Sequence, residues 1–404
     1  MRSYLALALI CAMLLSLGSC LRRVDAGADT DSDRFSTESN SLSAPDSTNE
    51  SEQESESMSK SYPKTEVLWS KTYSIYENAD KIKPMGRTRM TATGLQCDFS
   101  ATGLEFCATV QGTVTLELTV EGKELDSEKN DDAYFTVFID GERSETRYKA
   151  PMGKTTKLTI ANFKTQGTHT IQVLKQSEAK NGLCTMKSLT FSGTLNDAPA
   201  QAAHYIEFLG DSITCGYGNL CTNGTSPAGD TDYKDATQAF SFLTAKALGA
   251  DHSLISCSGM GVTLGWRTVL AKQLFEKQSY YRSASTAYTV ERTPDLVVIN
   301  LGTNDEFKGA DTTAFQADVG TLIQTVRTTY GQDTPIVWVY GMMGDGYQTQ
   351  VLAAIEALGG ESQGLYSVQL PENREGGGGH PTATAHKTAA EALASFIRTK
   401  NLLG

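Results

Sequence analysis

YIEFLGDSIT, residues 205–214, opens the part of the chain whose rhythm decides the fold. An apolar run of strand-forming residues ends in a Gly-Asp-Ser turn. Downstream, similar short runs recur at 253–259 (SLISCSG), 295–302 (DLVVINLG), 335–342 (PIVWVYGM) and 365–370 (LYSVQL). Helical periodicity falls between them, at 235–248, 313–330, 347–358 and 383–399. Strands alternating with helices predict a parallel sheet with crossover helices. Five such strands make one complete doubly wound α/β domain, placed at residues 203–404.

In open α/β sheets the ligand lies at the carboxyl ends of the strands, so the residues after each strand carry the functional reading. They are Gly210-Asp211-Ser212-Ile213-Thr214, then Ser258-Gly259-Met260-Gly261, then Gly302-Thr303-Asn304-Asp305. After the fifth strand come Gly376–Gly379 and His380-Pro381. Singly, each has an ordinary explanation: a serine caps a helix, Asn-Asp makes a turn, and a His-Pro pair sits in a surface loop. Together, a hydroxyl, an accessible backbone amide, a side-chain amide and an imidazole converge on one rim. That is the set of parts acyl transfer needs: nucleophile, base and oxyanion donors.

Other chemistries are excluded. There is no HExxH, no CxxC and no GxxxxGK[ST], and the whole chain has five histidines. The glycines at 259, 261 and 265 fail the GxGxxG spacing, and no such motif follows the first strand. Neither a metal nor a cofactor is expected. The net charge of -12 argues against nucleic-acid binding, which depends on clustered Lys and Arg.

Upstream, residues 62–195 alternate with period two in short runs at 103–110, 114–121, 133–140, 157–163, 168–176 and 188–194. Asp140-Gly141 is a hairpin signal. The pattern predicts an all-β sandwich or jelly roll with no catalytic constellation of its own. NDAPAQA, residues 196–202, reads as the linker.

The N terminus is of another kind. Residues 1–19 have a basic start and an apolar stretch too short to span a bilayer, which is a secretory signal pattern. Leu17-Gly18-Ser19-Cys20 resembles the bacterial lipobox, which implies cleavage before Cys20 and lipid on its thiol. Residues 20–61 are rich in Ser and acidic residues and nearly free of large apolar ones, so they read as a disordered acidic tether. Residues 20–60 hold ten acidic and four basic residues, so about half of the net charge sits in the tether. The expected location is the bacterial cell envelope, membrane-bound through the lipid anchor alone. An acidic stretch after a lipidated cysteine also serves in some bacteria as a surface-export signal. Six cysteines remain beyond position 20. Cys97–Cys107 and Cys215–Cys221 are close enough in the chain to pair, and buried free thiols are the alternative.

GDSIT, SG, GTND and HP, in this order, resemble the four blocks of the GDSL/SGNH hydrolase superfamily. IEFLGDSITCGYG behind a β-rich domain carrying GLEFCATVQGT, YFTVFIDGE and GTHTIQVLKQSEA is most similar to carbohydrate esterase family 2, the acetyl xylan esterases. The resemblance implies a Ser212 nucleophile, a His380 general base and acid, and an oxyanion hole of the Ser212 and Gly259 amides with the Asn304 side chain. It implies an exported carbohydrate O-acetyl esterase acting on acetylated polysaccharide of xylan or mannan type. Trp266 and Tyr340 are candidate sugar contacts, with core packing the alternative for both. One departure stands out: most of the superfamily has Asp three residues before the histidine, and here that position is Gly377. The resembled family includes Ser–His dyads in which a backbone carbonyl holds the imidazole. The aromatic that often precedes the histidine is replaced by Gly379, and four glycines in a row suggest a floppy loop. Two further readings remain: the same chemistry on another acylated target, a cell-wall glycan or lipid, and a degenerate carbohydrate-binding protein without turnover.

Overall fold

The computed structural model describes residues 69–121, 132–222, 230–280 and 286–404. Residues 1–68, on which the expected signal segment, Cys20 and the expected tether fall, lie outside the described residues. Nine antiparallel strands come first: β1 (Ser70–Ser74), β2 (Lys83–Met85), β3 (Thr88–Thr91), β4 (Gly94–Cys97), β5 (Gly103–Glu121), β6 (Ala133–Ile139), β7 (Glu142–Ala150), β8 (Thr155–Lys175) and β9 (Leu183–Leu195). Their order is β3-β4-β9-β5-β8-β6-β7, with β1 also on β9 and β2 on β5.

The runs expected at 103–110 and 114–121 are one strand, β5, and those at 157–163 and 168–176 are one strand, β8. The residues read as a break are a bulge. The β5–β8 register shifts between Val110 and Gly112, and Gly112 sits at φ +78° in the left-handed region. Phe106, Ala108 and Val110 before the bulge, and Val114, Leu116, Leu118 and Val120 after it, all enter the same core. The inward positions stay even-numbered across the bulge, so both halves of this long strand line the same core. All six cysteines beyond position 20 are free thiols; Cys97 lies opposite Cys184 across β4 and β9, not beside Cys107.

The second sheet is β10 (Tyr205–Gly210), β11 (Asp251–Ser256), β12 (Leu296–Asn300), β13 (Ile336–Tyr340) and β14 (Leu365–Gln369). It is wholly parallel, in the order β11-β10-β12-β13-β14. The helices are α1 (Phe240–Ala247), α2 (Ala271–Phe275), α3 (Thr303–Lys308), α4 (Thr312–Tyr330), α5 (Gln348–Ala357) and α6 (Ala383–Thr399). One sheet face, with Phe208, Val298 and Val339, packs on α1 and α6; the other, with Leu209, Ile299 and Trp338, packs on α2, α4 and α5. Both faces are covered, which is why these strands read as continuous apolar runs. The order reverses between β10 and β12, and at that switch point a crevice opens at the strand ends.

The two sheets are joined by buried charge. Arg87, between β2 and β3, is fully buried with Glu207 of β10, and their ion pair measures 3.2 Å. The guanidinium also donates to the Phe275 and Lys277 carbonyls and stacks 3.6 Å from the Tyr288 ring centre. Removing one partner of such a pair strands the other in a dry interior, typically at a cost of ~3–5 kcal/mol. Lys83–Asp251 at 2.7 Å and Arg143–Asp235 at 2.6 Å extend the same junction. Residues 65–404 accordingly form one compact unit.

Candidate functional site

Ser212 follows the last residue pair of β10 through a turn closed by its neighbour: Asp211 Oδ1 accepts from the Ile213 N–H at 3.0 Å. Gly210 is required here, since a Cβ would stand 1.9 Å from Thr214 Oγ1. Ser212 Oγ lies 2.8 Å from His380 Nε2. His380 Nδ1 lies 3.2 Å from the Gly377 carbonyl oxygen. With Nδ1 protonated and donating to that carbonyl, Nε2 carries the lone pair that faces the serine hydroxyl. Residues 168 positions apart in sequence thus form a nucleophile–base pair held by backbone rather than by a carboxylate.

Backbone bonds tie the start of the glycine run to its surroundings. Gly377 N–H donates to the Gly218 carbonyl at 2.9 Å, and Gly376 N–H donates to the His380 carbonyl at 2.8 Å. A Cβ at Gly376 would come within 2.7 Å of the His380 carbonyl and 3.1 Å of the Gly218 carbonyl. Only a residue without a side chain allows the loop to fold this tightly against the loop after β10. Gly378 and Gly379 take positive φ, +62° and +73°. Just beyond, the Thr382 hydroxyl caps α6 by accepting from Ala385 N–H, and Thr382 N–H donates to Asn373 Oδ1. The aromatic wall absent at Gly379 comes from elsewhere: the Tyr217 ring centre is 4.6 Å from that of His380.

Gly259 sits at φ +82°, and a Cβ there would press on the Trp266 side chain at 3.0 Å. Among the described residues, neither the Ser212 nor the Gly259 N–H donates to another protein group. Asn304, in the first turn of α3, lines the same cleft, but its Nδ2 protons are engaged by Asp211 Oδ2 at 3.0 Å and the Met260 carbonyl at 2.9 Å. Asp305 binds the loop after β11, accepting from the N–H groups of Val262, Thr263 and Leu264 at 2.7–2.9 Å. Gly302-Thr303-Asn304-Asp305 is thus a helix start rather than a free turn.

The cleft holds about 380 Å³, and its walls include Ser212, Gly259, Trp266, Asn304, Phe307 and His380. Trp266 and Phe307 stand 65% and 53% exposed at its mouth, with Lys308 Nζ 4.2 Å from the Trp266 ring centre. Tyr340 is not among the residues lining it: its hydroxyl meets Gln348 at the start of α5. A strand-end aromatic is as easily turned into packing as into solvent, and only the placement of α5 decides which. Tyr217 and Phe307 were missed. Tyr217 is part of the GDSITCGYG block, and Phe307 lies three residues beyond Asn304, one helical turn on, which was the available signal.

Burial lowers the His380 pKa to about 4, against the bond that the Gly377 carbonyl accepts and that favours the charged ring. Burial, opposed by the Ile213 N–H bond and reinforced by Asp305, pushes Asp211 up to about 7. A carboxyl that gains a proton near neutrality puts less negative charge beside the donors on Ser212 and Gly259.

Residues 208–392 match the GDSL-like Lipase/Acylhydrolase family, and residues 84–199 match the Carbohydrate esterase 2 N-terminal family. Residues 208–392 are thus a GDSL-like hydrolase domain, and it follows a domain of the carbohydrate esterase 2 N-terminal kind. The Cellulase/esterase CelE of Acetivibrio thermocellus is 30% identical over 255 residues, 58% of this chain and 30% of that protein. The chain therefore spans less than a third of CelE's length. An acetylxylan esterase / glucomannan deacetylase of Cellvibrio japonicus is 26% identical over 347 residues, 83% of this chain and 93% of that protein. The solved structure of a family two carbohydrate esterase from Clostridium thermocellum, in complex with cellohexaose, superposes with TM-score 0.69 and 26% identity, covering 79% of this chain and 99% of that one. The two matched domains, and their order in the chain, are those the sequence motifs implied.

A base of this kind works only when neutral. With its pKa lowered to about 4, His380 stays unprotonated on acidification well past the ordinary histidine value of ~6.5. The acid limb of kcat/KM should therefore have its midpoint near pH 4, because that profile reports the free enzyme's essential base. A limb centred at the ordinary histidine value would show that His380 is more solvated than the cleft implies.

Proposed function

We propose that this protein is an exported, lipid-anchored carbohydrate O-acetyl esterase that removes acetyl groups from polysaccharide of xylan or mannan type through an acetyl-serine intermediate. The observation that carries the reading is the 2.8 Å contact between Ser212 Oγ and His380 Nε2, opening into a cleft beside two unengaged backbone N–H groups. The relatives named as acetylxylan esterases and a glucomannan deacetylase support the substrate class.

The steps follow from the groups present. His380 Nε2 takes the Ser212 proton as Oγ attacks the acetyl carbonyl, and its Nδ1–H stays on the Gly377 carbonyl. Negative charge develops on the carbonyl oxygen, and the Ser212 and Gly259 N–H groups are the donors available to it. Asn304 joins them by turning its Met260-directed proton toward the oxyanion, since a charged acceptor draws a donor more strongly than a neutral carbonyl. The imidazolium then protonates the departing sugar oxygen. Water, activated by the same Nε2, attacks the acetyl-serine and releases acetate. Trp266 and Phe307 offer apolar faces against which a sugar ring can lie, leaving the acetyl group to reach Ser212.

Ser212→Ala should fold normally and release acetate from acetylated xylan or glucomannan at least about 10³-fold more slowly than the wild type, the scale on which loss of a nucleophile acts. Acetate release at near wild-type rate would contradict the assignment. The anchor is tested separately: full-length protein should partition into the detergent phase, and Cys20→Ala should remove that partitioning. Membrane association unchanged by Cys20→Ala would refute lipid anchoring.

A further inference from the structure

QSEAKNG, residues 176–182, joins β8 to β9 in the antiparallel domain, yet every one of these residues is buried. So polar a connection ordinarily faces water. Two charged side chains explain why this one does not. Lys175 Nζ donates to the carbonyls of Asp98, Ser177 and Glu178 at 2.8, 3.2 and 2.8 Å, so the loop wraps around its ammonium. Glu178 points the opposite way, into the catalytic domain. Its Oε1 accepts from Lys234 Nζ at 2.9 Å, with Lys180 Nζ 3.6 Å away. Its Oε2 accepts from the Ser258 N–H at 2.7 Å. Ser258 is the residue immediately before Gly259.

The Ser258 carbonyl is held as well, by Arg267 Nε at 3.0 Å. No peptide bond among the described residues is cis. In a planar trans peptide the C=O and the next N–H point in opposite directions. An arginine on the Ser258 carbonyl therefore turns the Gly259 N–H to the side away from Arg267. A charged donor on the carbonyl also polarises the amide and strengthens its N–H as a donor. Gly259, at φ +82°, takes a left-handed conformation that glycine adopts without strain.

We propose that Glu178 and Arg267 are positioning residues that clamp Ser258 from its two sides, Glu178 at the N–H of the Cys257–Ser258 peptide and Arg267 at the C=O of the Ser258–Gly259 peptide, so that a carboxylate of the antiparallel domain helps set the oxyanion donor of the catalytic domain. The proposal rests on the esterase reading above. It makes the antiparallel domain a working part of the active site rather than an appended module. Burial alone would push the Glu178 carboxyl up, but Lys180 and Lys234, with the bonds from Lys234 and Ser258, hold it well below the usual carboxylate range. The clamp therefore keeps its charge wherever His380 is neutral.

The test is steady-state kinetics on p-nitrophenyl acetate for the wild type, Glu178→Ala, Glu178→Gln and Arg267→Met, each checked by circular dichroism melting. Losing a whole oxyanion donor costs ~10²–10³ in kcat, so a misaimed one should cost about 10–100-fold in Glu178→Ala, with KM within about threefold. Glu178→Gln keeps an oxygen for the Ser258 N–H and should recover most of that loss. Arg267→Met, at a partly exposed position, should lower kcat by about tenfold or more on the same grounds. Should Glu178→Ala not fold, the other two variants decide: an unchanged kcat in folded Arg267→Met, or a Glu178→Gln defect confined to KM, overturns the clamp. Unchanged kcat in folded Glu178→Ala does so directly. Wild-type protein without esterase activity would overturn the esterase reading and this inference with it, whereas active wild type with unaffected variants overturns the clamp alone.

Discussion

The hydrogen bond from Ser212 Oγ to His380 Nε2, 2.8 Å long, requires an imidazole fixed in one tautomer and one orientation. In this chain the fixing group is a backbone carbonyl, that of Gly377. A carboxylate in that place would stabilise the imidazolium; a carbonyl does so less and leaves a weaker base. The loop answers this constraint by geometry. Gly376 fits only because it has no side chain, and its neighbour Gly377 bonds to the Gly218 carbonyl, so the loop bearing His380 packs against the loop bearing Ser212. The partly buried ring then has a pKa lowered to about 4, and the base is neutral at any pH well above that value.

The same logic reaches into the antiparallel domain. Arg87 and Glu207, which do not line the cleft, pin the domains together, while Glu178 carries a charge from one domain to the backbone of the other. Buried ions of this sort add little net stability against apolar alternatives, but removing one partner is costly. They therefore specify a single docking geometry. An oxyanion donor whose aim matters to a few tenths of an ångström gains from that specificity.

Much of this was legible in the residues. The apolar runs ending at Gly210, Gly259, Gly302 and Leu370 gave the parallel sheet, and the motifs at their ends gave Ser212, Asn304 and His380, because strand ends in such a sheet converge whatever the loops do. The antiparallel domain was legible as a class but not in its strands. Gln111-Gly112-Thr113 reads as a turn, and only pairing with β8 and β9 shows it to be a bulge within one strand. Tyr340 and Tyr217 exchanged places for a similar reason: period and propensity say nothing about which aromatic a later helix will cover. Glu178 was invisible as a functional residue. It lies in a polar loop that looks solvated, and its partners Lys234 and Ser258 are 56 and 80 positions away.

The central claim is that His380 works without a carboxylate behind it. Glu372 and Glu375 are the acidic residues nearest to it in the chain; Glu372 is bound to Arg374 at 2.8 Å, and Glu375 accepts from Asn373 at 3.1 Å. The direct measurement is kcat/KM for Glu372→Ala and Glu375→Ala beside the wild type on one acetate ester. The account predicts that each loses less than about tenfold, under ~1.4 kcal/mol of barrier. A loss approaching the ~10⁴ that follows removal of a true triad aspartate, in either variant with the fold intact, would contradict it.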